Sequence, residues 1–90
     1  MAYWRFIITV EAQDDLERLD DETRIRVLKK LKWFADNFDQ ATPFPLAGTW
    51  KGFFKLRVGD WRIIYEAEED KNLIIIHLID HRNRIYRRKK

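Results

Sequence analysis

Three cationic side chains lie close together in the segment KLRVGDWRIIYEA, which spans residues 55–67. Gly59 and Asp60 separate two apolar, β-prone runs, which is the pattern of a hairpin with a two-residue loop. Such a loop places Arg57 directly opposite Arg62, and Lys55 lies two residues back on the same side. Like charges across a strand pair destabilise a sheet by roughly 0.2–1 kcal/mol. The cluster therefore predicts a site that binds an anion.

The sequence ends in a second basic run, HRNRIYRRKK, at residues 81–90. Arg82 and Tyr86 are four residues apart and share a face in a helix, whereas in a strand Arg82, Arg84 and Tyr86 alternate to the same side. Either geometry places a guanidinium beside a phenol, which can donate or accept a proton. Nearby cations favour the phenolate form that a general base requires. The plainer alternative is that Tyr86 packs on the sheet edge while Arg82 is solvated.

The composition fits one compact domain over residues 1–90, since 46% of the residues are hydrophobic. The sequence has no cysteine, which excludes disulfides, zinc–thiolate sites and cysteine nucleophiles. No run approaches the roughly 18 apolar residues of a membrane span, and the N-terminus lacks a signal-peptide pattern. These features predict a soluble, cytoplasmic protein.

The charge is unevenly distributed between the two halves. Residues 1–50 contain seven Lys/Arg against nine Asp/Glu, whereas residues 51–90 contain eleven against six. The modest overall charge of +3 therefore hides a basic C-terminal half. A polyanion is the partner that such a half favours.

The hydrophobic pattern predicts an α+β fold of order β-α-α-β-β-β, with a four-stranded antiparallel sheet and two N-terminal helices on one face. The expected strands are Tyr3–Val10, Trp50–Val58, Trp61–Glu68 and Leu73–Asp80. The first is nearly all apolar, which indicates burial on both faces. A capping box at Asp14 and Glu17 predicts a short helix that ends near Leu19.

A longer helix is predicted from Asp21 to Phe38. Its expected buried stripe consists of Ile25, Leu28, Leu31, Ala35 and Phe38. Residues 37–49 have two prolines, a glycine and no periodicity, so they predict a loop. Phe44 and Leu46 are expected to attach this loop to the core.

Alternation along the predicted strands assigns side chains to the two faces of the sheet. The core face receives Phe54, Leu56, Val58, Trp61, Ile63 and Tyr65. The opposite face receives Lys51, Phe53, Lys55, Arg57, Arg62, Ile64 and Glu66. This cationic face is concave in the expected twist, and Phe53 offers a ring on which a base can stack. The alternative is a solvated outer face with scattered charges.

A longer pattern joins these features. Leu46 and Gly48 precede aromatic residues, the motif KLRVGDWR at residues 55–62, an apolar strand, and then His81 and Arg82 with Tyr86. This order resembles the C-terminal half of RelE/ParE-type toxins of bacterial and archaeal toxin–antitoxin modules. The N-terminal strand, the segment EAQDDLERLD and a second helix also fit. The resemblance covers nearly the whole chain.

The resemblance to the RelE branch implies a ribosome-dependent endoribonuclease that cuts mRNA in the decoding site without a metal or other cofactor. By position, Lys55 and Arg62 correspond to the cations that hold the scissile phosphate. Arg82 corresponds to the proposed acid or transition-state stabiliser, and Tyr86 to the proposed base. Arg57 matches a further basic position of the same strand.

One position departs from the family pattern. The RNase members carry a further lysine two residues before the Lys55 position, where this chain has Phe53, and Lys51 partly replaces it. His81 is a second candidate for the titrating group, because other branches use a histidine near the C-terminus. His77, within IIIHLI, is expected to be a hydrogen-bonded strand residue. The expected substrate contacts are Lys51, Phe53, Arg57, His81 and Arg84.

Two function classes stay open beside an inactive RNA-binding fold. One is the mRNA endonuclease, which the presence of Lys55, Arg62, Arg82 and Tyr86 favours. The other is a ParE-like toxin that binds and inhibits DNA gyrase without nuclease activity. The resemblance also implies a cognate antitoxin that wraps the toxin, binds operator DNA through its own N-terminal part, and so links the toxin to DNA only indirectly. The remaining expected partners are mRNA on the ribosome and rRNA against the basic face, with no membrane.

Overall fold

The computed structural model describes residues 3–88, which form a mixed five-stranded sheet with two helices on one face. The strands are β1 (Arg5–Ile8), β2 (Phe44–Pro45), β3 (Phe54–Val58), β4 (Trp61–Glu68) and β5 (Leu73–His81), in the spatial order β1-β5-β4-β3-β2. The helices are α1 (Val10–Arg18) and α2 (Asp21–Asp36). Short 3-10 turns cover Phe38–Gln40, Gly48–Trp50, Glu69–Lys71 and Ile85–Arg87.

The α+β class with two helices is confirmed, but the four-stranded antiparallel sheet is wrong in detail. A two-residue strand, β2, adds a fifth member, and β1 pairs with β5 in parallel. Each hairpin from β2 to β5 reverses the chain. The two helices, rather than a hairpin, connect β1 to the rest of the sheet. Strand β1 can therefore run parallel to its neighbour β5.

The prediction that β1 is buried on both faces is wrong. The strand lies at the edge of the sheet with β5 as its neighbour, and its exposure alternates so that Ile7 is exposed. The chain then enters α1 earlier than the capping box at Asp14 predicts. The Thr9 side chain accepts a hydrogen bond from the Ala12 N–H at 3.2 Å, and threonine is a favoured N-cap.

Helix α2 begins after Asp20, whose side chain accepts from the Thr23 N–H at 3.3 Å. Its buried face differs from the expected stripe. Leu31 and Ala35 are buried as predicted and Phe38 packs against the core, whereas Val27 and Phe34 take the places expected for Ile25 and Leu28. The two latter residues are exposed. Both sets have helical spacing, so packing against the sheet decides between them.

Apolar residues are buried on both faces of the sheet. The larger cluster lies under the helices and includes the six side chains predicted for the core face of β3 and β4, namely Phe54, Leu56, Val58, Trp61, Ile63 and Tyr65. A smaller cluster on the opposite face, the second cluster, contains Trp50, Phe53, Ile64, Leu78 and Ile85.

The 37–49 segment is attached differently from the expectation. Leu46 packs on the second cluster as predicted, but Phe44 is exposed in β2. Strand β3 begins at Phe54 rather than Trp50, because the Gly48–Trp50 turn precedes it. Neither helix of the described range has the length and apolar character needed to cross a membrane.

Candidate functional site

The β3–β4 hairpin places its cations as the sequence predicts. Val58 pairs with Trp61, Arg57 with Arg62, and Lys55 with Ile64. Gly59 adopts a φ of +59°, which glycine reaches without the steric cost that other residues incur. The two-residue loop therefore fixes Arg57 and Arg62 opposite each other on the face away from the helices.

Arg62 is held against the loop of this hairpin. Its Nη1 donates to the Gly59 carbonyl at 2.8 Å and to the Trp61 carbonyl at 2.9 Å. A guanidinium has five N–H donors in a rigid fork, so the loop orients the group while other donors can still bind an anion. The loop carbonyls also fix the position of this charge at the hairpin end.

Arg82 is brought to the same loop from the C-terminal segment. Its backbone N–H donates to the Asp60 carbonyl at 2.8 Å, and its Nε lies 3.8 Å from Asp60 Oδ1. More than half of the Arg82 side chain is exposed. The basic hairpin and the basic tail therefore meet at Asp60, and the Arg82 guanidinium remains open to solvent.

Tyr86 lies in the Ile85–Arg87 turn, above Lys55. Ile85 is fully buried in the second cluster, whereas Tyr86 is 47% exposed. The Lys55 Nζ is 5.9 Å from the centroid of the Tyr86 ring, within the range of a cation–π contact. The turn thus directs one side chain into the second cluster and the next one over the β3 lysine.

A buried ion-pair cluster holds the end of this turn. Asp15 of α1 is 3% exposed, and its Oδ2 accepts from the Ile79 N–H and from Arg88 Nη1, both at 2.9 Å. Arg88 Nη1 is also 3.3 Å from Asp80, and the Arg88 carbonyl accepts from the Trp50 indole at 3.1 Å. Burial works against the ionised form of Asp80, but the His81 N–H and the arginines outweigh it, so the pKa of Asp80 is lowered.

This cluster, here called the Asp15–Arg88 clamp, was not predicted from the sequence. Asp15 lies on the helical face that also carries Ala12, Leu16 and Leu19, all of which are buried. An acid within an apolar stripe requires a buried partner. The position of Asp15 within this apolar stripe was the one sign in the sequence that the acid is buried. Its partner Arg88 is 73 residues away in the chain, so local spacing does not identify it.

Four expected substrate contacts do not join Lys55 and Tyr86. Phe53 is 7% exposed and its ring packs edge-on against Trp50, so the prediction that it offers an open surface to a base is wrong. The reason is that the Ile85–Arg87 turn and Trp50 cover this part of the face. Lys51 is exposed just after the Gly48–Trp50 turn, outside the strand.

His81 and Arg84 lie towards the helices. The His81 ring packs edge-on against Trp61, which belongs to the larger core, and Nδ1 accepts from the Asn83 N–H. Arg84 donates from Nε to Asp80 at 3.0 Å and lines a cleft with Asp15 and Trp61. The extended-strand alternative, in which Arg84 shares a side with Arg82 and Tyr86, is not what the structure shows, because the chain turns at the end of β5.

Two further titratable groups are accounted for by packing. The expectation for His77 is confirmed: its Nε2 lies 2.7 Å from Glu66 Oε1, in the strand. Burial raises the pKa of Tyr65 to about 12, so this phenol stays protonated. Within residues 3–88 no group of three His, Cys, Asp or Glu side chains is placed to hold a metal ion.

A family model of the ParE toxin of the type II toxin–antitoxin system parDE matches residues 6–86. The chain belongs to this family, within the RelE/ParE superfamily. It is therefore the toxin of a type II toxin–antitoxin system. A comparison with curated proteins gave no match.

Solved structures share the fold of this toxin at low sequence identity. The toxin–antitoxin complex RelBE2 from Mycobacterium tuberculosis matches with a TM-score of 0.80 and 21% identity, over 89% of this chain and 99% of that one. The archaeal RelE–RelB complex from Pyrococcus horikoshii matches with a TM-score of 0.69 and 19% identity, over 92% of this chain and 99% of that one. The YoeB/ParE toxin from Agrobacterium tumefaciens matches with a TM-score of 0.68 and 18% identity, over 86% of this chain and 96% of that one.

Proposed function

We propose that this toxin is a metal-independent endoribonuclease that cuts mRNA on the ribosome and so blocks translation. The observation that carries the proposal is the approach of Lys55 to the Tyr86 ring at 5.9 Å. Arg62 and Arg82 are bound to the neighbouring hairpin loop. Lys55 and Arg62 come from the hairpin, and Arg82 and the exposed phenol of Tyr86 come from the C-terminal segment that contacts this hairpin.

Cleavage of RNA by these groups requires no additional reagent. Tyr86 accepts the proton of a ribose 2′-OH as general base, and the ribose oxygen attacks the adjacent phosphorus. Lys55 and Arg62 bind the phosphate and stabilise the charge that accumulates on it, which is often the largest catalytic contribution. Arg82 stabilises the charge on the leaving 5′-oxygen, which takes a proton from water as the P–O bond breaks, and Tyr86 returns the proton it accepted to solvent. The products are a 2′,3′-cyclic phosphate and a 5′-hydroxyl.

A cognate antitoxin is the proposed protein partner. The similar structures from M. tuberculosis and P. horikoshii are toxin–antitoxin and RelE–RelB complexes. The exposed cations Arg57 and Arg82 would make the free toxin harmful in a cytoplasm that contains ribosomes. We infer that an antitoxin covers this face, and that any contact with operator DNA passes through it.

Inhibition of DNA gyrase is the second candidate. It is favoured by the description of the matched family as ParE toxins. A gyrase inhibitor needs a binding surface but no base, so it does not depend on the phenol of Tyr86. This difference provides the test.

The test is inducible expression followed by primer extension on cellular mRNA. Wild-type toxin should produce cuts in translated mRNA at codon-linked positions. Tyr86→Phe should lower the cleavage rate by about 10²–10⁴-fold, the usual contribution of a positioned base. Arg82→Ala should lower it by about 10²–10³-fold, as for loss of a group that stabilises transition-state charge.

Matched controls are Tyr3→Phe and Arg5→Ala, which change an exposed phenol and an exposed guanidinium at the opposite edge of the sheet. Both should cleave as the wild type does. Intact mRNA together with gyrase-dependent DNA breaks would replace the nuclease by the second candidate.

A further inference from the structure

A groove of about 420 Å³ runs along the edge of the sheet between α2 and the strands β2 and β3. Three cations line it, namely Lys30, Lys55 and Arg57, together with the aromatic rings of Trp33 and Phe44. Among the described residues of its lining, none has an acidic side chain. The groove is therefore cationic, and its rings come from two separate elements.

The two aromatic rings of the groove are about half exposed. Trp33 and Phe44 are each 52% exposed, and they lie on α2 and β2 respectively. The Lys30 Nζ is 4.5 Å from the Trp33 ring centroid, so a cation accompanies this ring. Exposed rings interleaved with cations are the features with which proteins bind single-stranded nucleic acid, because bases stack on the rings and phosphates pair with the cations.

The groove shares one residue, Lys55, with the proposed catalytic site. Lys55 lines the groove, pairs with Phe44 across the β2–β3 ladder, and has its Nζ beneath the Tyr86 ring. Lys55 is therefore the residue common to the groove at the sheet edge and to the proposed catalytic site. The charges extend the same path, since Arg57 follows Lys55 on β3.

We propose that this groove binds single-stranded RNA next to the cleaved bond, with bases on Trp33 and Phe44 and phosphates on Lys30 and Arg57. The proposal rests on the proposed function, since the RNA in the groove is the strand that Tyr86 cleaves. An acidic protein segment is the competing occupant. The RNA is favoured because the groove shares Lys55 with the proposed catalytic site and contains two half-exposed aromatic rings.

The first experiment measures binding of a fluorescein-labelled 12-nucleotide oligouridylate to the purified toxin by fluorescence anisotropy. Trp33→Ala and Phe44→Ala should each weaken binding by about 5- to 100-fold, the loss expected for one stacked base. Trp33→Phe should restore most of the affinity, because a ring remains. Tyr3→Ala, which removes an exposed ring outside the groove, should bind as the wild type does.

The salt dependence separates charge from stacking. For single strands the slope of log K against log salt is about −0.7 per phosphate neutralised. Lys30→Ala should reduce the magnitude of this slope by about 0.7, whereas Trp33→Ala should leave the slope unchanged and lower the affinity at every salt concentration.

The outcomes distinguish this proposal from the proposed function. If Trp33→Ala and Phe44→Ala bind the oligouridylate as tightly as the wild type, the groove proposal is overturned even if mRNA cleavage is found. The groove proposal is also overturned if the oligouridylate does not bind but poly-glutamate does, and if the binding of poly-glutamate is lost in Trp33→Ala. If binding depends on both rings but mRNA stays intact on the ribosome, the groove is upheld and the nuclease assignment fails.

Discussion

Removing the carboxylate of Asp15 should destabilise the fold far more than its position on a surface helix suggests. The side chain is 3% exposed and accepts from the Ile79 N–H and from Arg88, each at 2.9 Å. An unpaired buried N–H costs about 1–3 kcal/mol, and a hydrogen bond to a charged group contributes about 1.5–3 kcal/mol. Arg88 keeps Asp80 as an acceptor at 3.3 Å, which offsets part of the second loss. The free energy of unfolding in Asp15→Ala should therefore fall by about 2–4 kcal/mol.

Asp14→Ala is the matched control, since Asp14 precedes Asp15 in the same helix and is exposed. Both variants change helix propensity equally, and the control should lose less than about 0.5 kcal/mol. Asp15→Asn keeps an acceptor for Ile79 but removes the charge, so its loss should be intermediate.

The assay is urea unfolding followed by the fluorescence of the four tryptophans, with the m-value checked for two-state behaviour. A double-mutant cycle with Arg88→Gln should give a coupling of about 0.5–3 kcal/mol, as expected for residues in one network. If Asp15→Ala and Asp14→Ala unfold at the same urea concentration, the Asp15–Arg88 clamp does not stabilise the turn.

Three further predictions concern pH and the hairpin. Because burial raises the pKa of Tyr65 to about 12, the unfolded state loses its proton first, and the free energy of unfolding should fall by about 2 kcal/mol between pH 10 and 12. In urea titrations at alkaline pH, Tyr65→Phe should not show this fall in the free energy of unfolding. An equal pH dependence in both proteins would contradict the prediction. The pKa of Asp80 is lower in the folded protein than its value of 3.8 in the unfolded chain. Its carboxylate therefore stabilises the fold above pH 3.8, and this stability is lost as the pH falls through the folded pKa. Asp80→Asn should make the free energy of unfolding depend less steeply on pH in acid, and a dependence as steep as that of the wild type would count against this prediction. Gly59→Ala should cost about 1–2 kcal/mol, because φ is +59° there, and Gly59→Asn should cost less; thermal melts with equal midpoints for Gly59→Ala and the wild type would disprove the strained loop.

The hairpin could be predicted because its signals are local. Gly59 and Asp60 lie between two β-prone runs, which sets the register and hence the pairing of Arg57 with Arg62. The bounds of β4 follow from the same pattern and agree with the structure. The meeting of Lys55 with Tyr86 was expected from family resemblance together with this register.

The remaining features depend on contacts between distant segments. Ile25, Leu28 and Leu31 follow each other at steps of three residues, as one helix face allows, yet Val27, four residues before Leu31, is buried instead. Alternation correctly assigned Phe53 to the face away from the helices, but its covering by Ile85 is a contact across 32 positions of the chain. The bulge between Ile64 and Tyr65 likewise depends on how β5 pairs.

The most direct test of the proposed chemistry is a reconstituted translation reaction, with ribosomes stalled at a defined codon, purified toxin, and analysis of the mRNA ends. The proposed function requires 5′ fragments that end in a 2′,3′-cyclic phosphate, and their loss in Tyr86→Phe but not in Tyr3→Phe. Uncut mRNA at saturating wild-type toxin, or equal cleavage by Tyr86→Phe, would contradict the assignment of Lys55 and Tyr86 as the catalytic pair.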